Sequence, residues 1–198
     1  MTTGLAGEDC QPLTSGTIAM VNLQAQIDAL TALPPRKGSW RPAVAEQALL
    51  ADLLMLRGHV LGRISDGERA AQVAEQLVRD APEDGTALLA RARTRATFHR
   101  FPEALADLGA ARRCGADRAT LDVERAAILQ AVGCHADAFV LCRNAEERRP
   151  TFTTLGALAV LQAVRGNVAQ AERLFTRARR RYRVSRPSRW LRSTSGRG

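Results

Sequence analysis

The stretch ILQAVGCHADAFVLC, Ile128–Cys142, brings Cys134, His135 and Cys142 within nine residues. As chemistry, that cluster offers a thiol or metal site. As packing, it offers alternating alanines and larger apolar residues around a central glycine. The rest of the chain separates the two readings, because the alanines of this stretch recur elsewhere at a fixed distance.

Ala70, Ala104, Ala138 and Ala171 follow one another at spacings of 34, 34 and 33 residues. Twelve residues before each stands another small residue: Gly58, Ala92, Ala126 and Ala159. Four after each come Ala74, Leu108, Cys142 and Phe175; seven after come Leu77, Ala111, Ala145 and Ala178. Pro82, Ala116 and Pro150 stand twelve after the first three. A period near 34 with small residues at set points is the mark of a helical-pair repeat. Antiparallel helices joined by a tight turn approach to about 8–10 Å when their crossing carries little side chain. The composition agrees: aromatics are 4% of the chain, alanine and leucine abound, and strong helix formers dominate over β-branched runs.

Turn chemistry follows the same frame. SDGE, Ser65–Glu68, has the spacing of a capping box ahead of a second helix. Pro102 suits a first helical turn, where its missing N–H costs nothing. Gly133 and Gly166–Asn167 fall at the same inter-helix position in later units. Upstream, Thr17–Leu33 has helical apolar spacing and ends at Pro34–Pro35, so it predicts a helix packed on the first unit.

In these residues the chain resembles the tetratricopeptide repeat family. The small pairs Gly58/Ala70, Ala92/Ala104, Ala126/Ala138 and Ala159/Ala171 carry the resemblance, with the third small residue and the closing proline. It departs where the family often has an aromatic, at Leu61, Arg95, Leu129 and Gln162. The resemblance implies an all-α, right-handed superhelix of antiparallel helix pairs. The expected organisation is a disordered N-terminus over 1–16, a helix and linker over 17–50, and four repeats over 51–183 (about 51–84, 85–118, 119–151 and 152–183). A basic disordered tail over 184–198 follows. First helices line the concave face of such a superhelix. By the family's pattern the groove residues are Met55, His59, Leu89, Arg93, Val123, Ala127, Gln130, Thr153, Val160 and Val164. The Lys/Asn clamp that some members use for a peptide's terminal carboxylates is absent from these positions. A mostly small and apolar groove suits a helix or an apolar segment of a partner protein.

In the repeat frame Cys142 takes a core slot, while Cys134 and His135 fall in the turn after Gly133. Structural zinc wants paired ligands closed by a second pair, and no second pair stands in the sequence. Cys10 and Cys114 are isolated, as are His59 and His99. No phosphate-loop, dinucleotide, metalloprotease or serine-hydrolase motif is present. The expectation is a non-catalytic chain without metal, cofactor or small-molecule substrate. No stretch reaches the roughly 18 apolar residues of a membrane helix, and the N-terminus has acids where a secretion signal has bases. A cytoplasmic setting is expected.

The net charge of +9 is uneven. Residues 1–172 carry 19 basic and 20 acidic side chains, whereas 173–198 carry ten arginines and no acid. Arg179, Arg180, Arg181, Arg183, Arg186, Arg189 and Arg192, with Tyr182 and Trp190 among them, fit phosphate backbones and stacked bases. An adaptor that holds a protein segment is therefore the first reading, and a nucleic-acid-associated regulator using this tail is the alternative. An array normally ends in a polar capping helix. None is evident after Tyr182, so self-association through the C-terminal repeat is a further expectation.

Overall fold

A computed structural model describes residues 15–33 and 41–185. The described residues form nine helices and no strand. Helix α1 is Ser15–Thr31, α2 Arg41–Leu61, α3 Ile64–Asp80, α4 Gly85–Thr97 and α5 Phe101–Arg113. Helix α6 is Arg118–Ala131, α7 His135–Arg148, α8 Phe152–Val164 and α9 Val168–Ser185. Four antiparallel pairs, α2–α3, α4–α5, α6–α7 and α8–α9, follow the single helix α1. The chain is an all-α array of tetratricopeptide-like helix pairs.

The small residues do what the packing argument required. Ala70, Ala92, Ala104, Ala126, Ala138 and Ala159 are all buried at the crossings, as are Ala111, Ala145 and Ala178 at the third point. Three apolar clusters run along the array. Leu23 and Ile27 of α1 pack on Leu50, Ala51 and Leu54 of α2 and on Ala70 of α3. A second cluster links α2 through α6, with Val44, Leu88, Leu108 and Leu121 among its members. A third joins α6 through α9 around Cys142, Leu155, Leu161 and Leu174.

The turns show one motif with a shifted copy. In the last three pairs the amide of Arg100, Cys134 or Asn167 donates to the carbonyl five residues earlier. The residue before it has positive φ: His99 at 58°, Gly133 at 85° and Gly166 at 79°. This is the Schellman ending, where glycine is usual because it has no Cβ to crowd the left-handed conformation. His99 is the non-glycine exception. In the first pair the same bond runs from Arg63 to Gly58, with Gly62 at φ 65°, three residues earlier in the repeat frame. Helix α3 consequently starts early, at Ile64.

That shift corrects the expected capping box. The position before α3 is Arg63, with no side-chain cap, and Ser65 lies inside the helix. The acid of the same turn, Asp66, is instead buried against Arg57 of α2. Side-chain caps do mark the first helices: Asp84 accepts from Thr86 and Ala87, Asp117 from Thr120, and Thr151 makes a reciprocal box with Thr154. Pro102 sits in the first turn of α5. Helix α2 takes in residues 41–50, which the sequence reading gave to the linker.

Candidate protein-binding face

First helices α2, α4, α6 and α8 lie next to one another along one side of the array. They carry all ten residues expected for the groove, and none of the ten is buried. Met55, Leu89, Arg93, Val123 and Gln130 are half-buried; His59, Ala127, Thr153, Val160 and Val164 are exposed. Apolar residues left partly open on adjacent helices give the face its character at both ends.

Its middle is ionic, which the expectation of a mostly apolar groove missed. Arg93 of α4 donates to Asp52 of α2 at 2.7 Å and to Glu124 of α6 at 2.7 Å, tying three successive units together. Burial raises the Asp52 carboxyl above its ordinary range; Arg93 opposes that rise and the neighbouring Glu124 charge adds to it. Asp52 and Glu124 stand 41 and 31 residues from Arg93. Set against a period of 34, each acid is displaced by one or two helical turns, so all three share a face. That displacement was the available signal.

A second ionic assembly holds α3, α4 and α5 together. Asp107, itself buried, accepts from Arg91 at 2.7 and 3.0 Å and from Arg95 at 2.8 Å. Glu75 accepts from Arg91 at 3.2 Å and from Arg95 at 2.9 Å, closing a ring of two arginines and two acids. Burial alone would push the Glu75 carboxyl up, but Arg95 and Arg91 together hold it below its ordinary range. Arg95 stands where the family often places an aromatic, and the ring explains its presence. At the N-terminal end, Arg57 grips Asp66 through two nitrogens and donates to Gln24 of α1 at 2.6 Å.

The cysteines do not converge. Cys142 is fully buried in the α6–α9 cluster, and burial with the nearby Asp122 charge pushes its thiol up to about 11. Cys134 is exposed at the N-cap of α7 and His135 is the first residue of that helix, also exposed. A protonated buried thiol neither attacks nor ligates. Among the described residues no group of three or more His, Cys, Asp or Glu side chains is arranged to hold a metal ion, and no helix is long and apolar enough to cross a membrane.

Of the basic residues, Arg179, Arg180 and Arg181 are exposed on α9, and Arg183 falls within that helix. Arg186, Arg189 and Arg192 lie outside the described residues, with Cys10 and residues 1–14. Arg177 of α9 reaches Glu146 of α7 at 2.9 Å.

No family model matches the sequence, and no curated protein does. Solved structures do match. A thermophilic TPR protein from Thermus thermophilus, TTC0263, is 18% identical with a TM-score of 0.61, and 86% of each chain is covered. A chain of the APC/C hetero-tetramer Cut9–Hcn1 is 14% identical with a TM-score of 0.57; the match covers 82% of this chain and 29% of that one. MamA is 13% identical at a TM-score of 0.49, over 88% of this chain and 98% of its own. The repeat register, the helix pairs and the first two of these likenesses converge on one conclusion: the chain has the tetratricopeptide-repeat fold.

Proposed function

We propose that the protein is a non-catalytic scaffold whose first-helix face holds a segment of a partner protein. The reading rests on one observation above others. The face shared by α2, α4, α6 and α8 leaves Met55, Leu89, Val123, Val160 and Val164 open to solvent in whole or part. A helix laid along this face buries apolar surface at its ends and meets fixed charge at Asp52, Arg93 and Glu124. The fold, a scaffold for protein contacts in general, suits the same role.

A second reading is favoured by the exposure of Arg179, Arg180 and Arg181 beside Tyr182 on α9. This edge would hold a nucleic acid by its phosphates, with an affinity that falls steeply with salt. One comparison decides between them: a pull-down from the native lysate, with and without nuclease, using the full chain, an Arg179→Ala/Arg180→Ala/Arg181→Ala variant, and the Val123→Glu/Val160→Glu variant. The scaffold reading expects the same protein on the first two and none on the third. Recovery that survives the groove variant but is lost with the arginine change and on nuclease treatment would move the contact to the basic segment, held through nucleic acid.

A further inference from the structure

The first helix of each later unit has two slots that are closed, four of their six residues lying in clusters shared with neighbouring units. Five residues before the small crossing residue stand Ala87, Leu121 and Thr154, and two after it stand Thr94, Ile128 and Leu161; all six are buried. In α2 the same slots hold Leu53, which is half-buried against the α1–α3 cluster, and Val60, which is 55% exposed. With Leu49 and Leu56, 46% and 50% exposed, they form a stripe spaced 4, 3 and 4 along the helix. The other flank of α2 is occupied, since Val44 and Ala48 pack into the cluster shared with α4. On the stripe's side stands α1, fixed through Leu23 and Ile27. Its exposed surface includes two open apolar residues, Ile18 at 48% and Val21 at 62% exposure, beside Asn22, Gln24, Gln26 and Asp28. Helix α1 thus stands as the second helix of a preceding unit, and among the described residues no first helix accompanies it.

We propose that a second copy of this chain fills that position, its own α2 lying along the stripe. Three features fit that occupant. A 4–3–4 run of leucine and valine is the a/d seam by which a helix pairs with another of the same pattern. A two-fold contact joins identical patches, so the patch must tolerate itself. Asp28 is the sole charged residue of α1, and Arg57 is turned inward onto Asp66, so few like charges meet when two such faces pair. The apolar face at the other end, with Val168, Phe175 and Tyr182, is flanked by Arg173, Arg179, Arg180 and Arg181. Pairing that end with itself would bring arginines together. Two chains joined at α1 and α2 form a four-helix contact from which both arrays extend.

Sedimentation of the full chain over a wide concentration range tests this. The expected result is a species of twice the chain mass that dissociates on dilution. Leu56→Glu and, separately, Val60→Glu should each leave a monomer with unchanged helical circular dichroism, because both side chains are exposed in the single chain. Phe175→Glu should remain dimeric. A monomer at every concentration, or a dimer that survives both α2 changes, overturns the proposal. Dissociation by Phe175→Glu alone moves the contact to the C-terminal pair and overturns it equally.

Discussion

Asp66 and Asp52 each face an arginine, and their surroundings give them opposite behaviour. The Asp66 carboxyl is held below its ordinary range by hydrogen bonds from Arg57, against the opposing effect of burial. The unfolded chain protonates such a group near pH 4. Its contribution to stability is therefore complete above about pH 4 and is lost as the pH falls through the lower folded value. Asp52 is raised, chiefly by burial, so its ionised form is disfavoured by the fold, and stability from this group increases as the pH falls through its titration. Removing one partner of a buried pair leaves an uncompensated charge. Asp66→Asn should cost about 3 kcal/mol at neutral pH. Asp52 is partly exposed, at 41% of its side chain, so Asp52→Asn should change stability by less than about 1 kcal/mol. Urea unfolding at pH 7 and again near pH 3 checks both, and the penalty of Asp66→Asn should shrink at the lower pH.

At the scale of the helix pair, glycine has two different meanings in this chain. A Cβ at Gly58 would stand 3.0 Å from the Arg63 carbonyl oxygen and 3.3 Å from the Asp66 Cβ. The early turn brings α3 close there, so Gly58→Ala should cost about 1–2 kcal/mol although alanine serves at the same crossing in the other units. Gly156, inside α8, has open space around a would-be Cβ, and Gly156→Ala should stabilise by about 0.5–1 kcal/mol. Thermal unfolding of the two variants should move Tm in opposite directions. The pairs themselves were legible because the crossing needs a small side chain, and that need repeats every 34 residues. The early turn at Gly62 was less so, since the capping pattern at Ser65 fits a uniform frame and Gly62 alone marks the departure. The beginning of α2 at Arg41 had a signal in Pro42, a first-turn proline ahead of an alanine- and leucine-rich run, but the neighbouring Pro34–Pro35 drew the boundary elsewhere. The ionic contacts were legible only in part: separations of 41 and 31 residues put Asp52, Arg93 and Glu124 on one face, but did not say that they pair. Arg93, Glu75 and Asp107 find partners 12 to 41 residues away, and only the stacking of units decides which charges meet.

The whole molecule is a linear stack, in which each unit is stabilised mainly by its neighbours. Helices α4 and α5 have units on both sides and the ring of Arg91, Arg95, Glu75 and Asp107 between them and α3. Among the described residues helix α9 has packed helices on one side only. Native-state hydrogen exchange should therefore be slowest in α4–α5 and fastest in α9; equal protection along the chain would contradict a nearest-neighbour array. One junction breaks the even progression. Between α5 and α6 lies a recess of about 180 Å³ lined by Leu105, Leu108, Gly109, Arg112, Leu121, Asp122 and Arg125. Among the described residues no ion pair joins these two helices, and the junction's ionic tie is Arg93 of α4 to Glu124 of α6. In mechanical terms the array is a set of springs in series. The ring stiffens the coil before this junction, while at the junction the Arg93–Glu124 tie stands on the α4–α6 side and the recess on the α5–α6 side. A pull along the axis would open the α5–α6 side first, bending the array about the Arg93–Glu124 tie while the α3–α5 coil kept its shape.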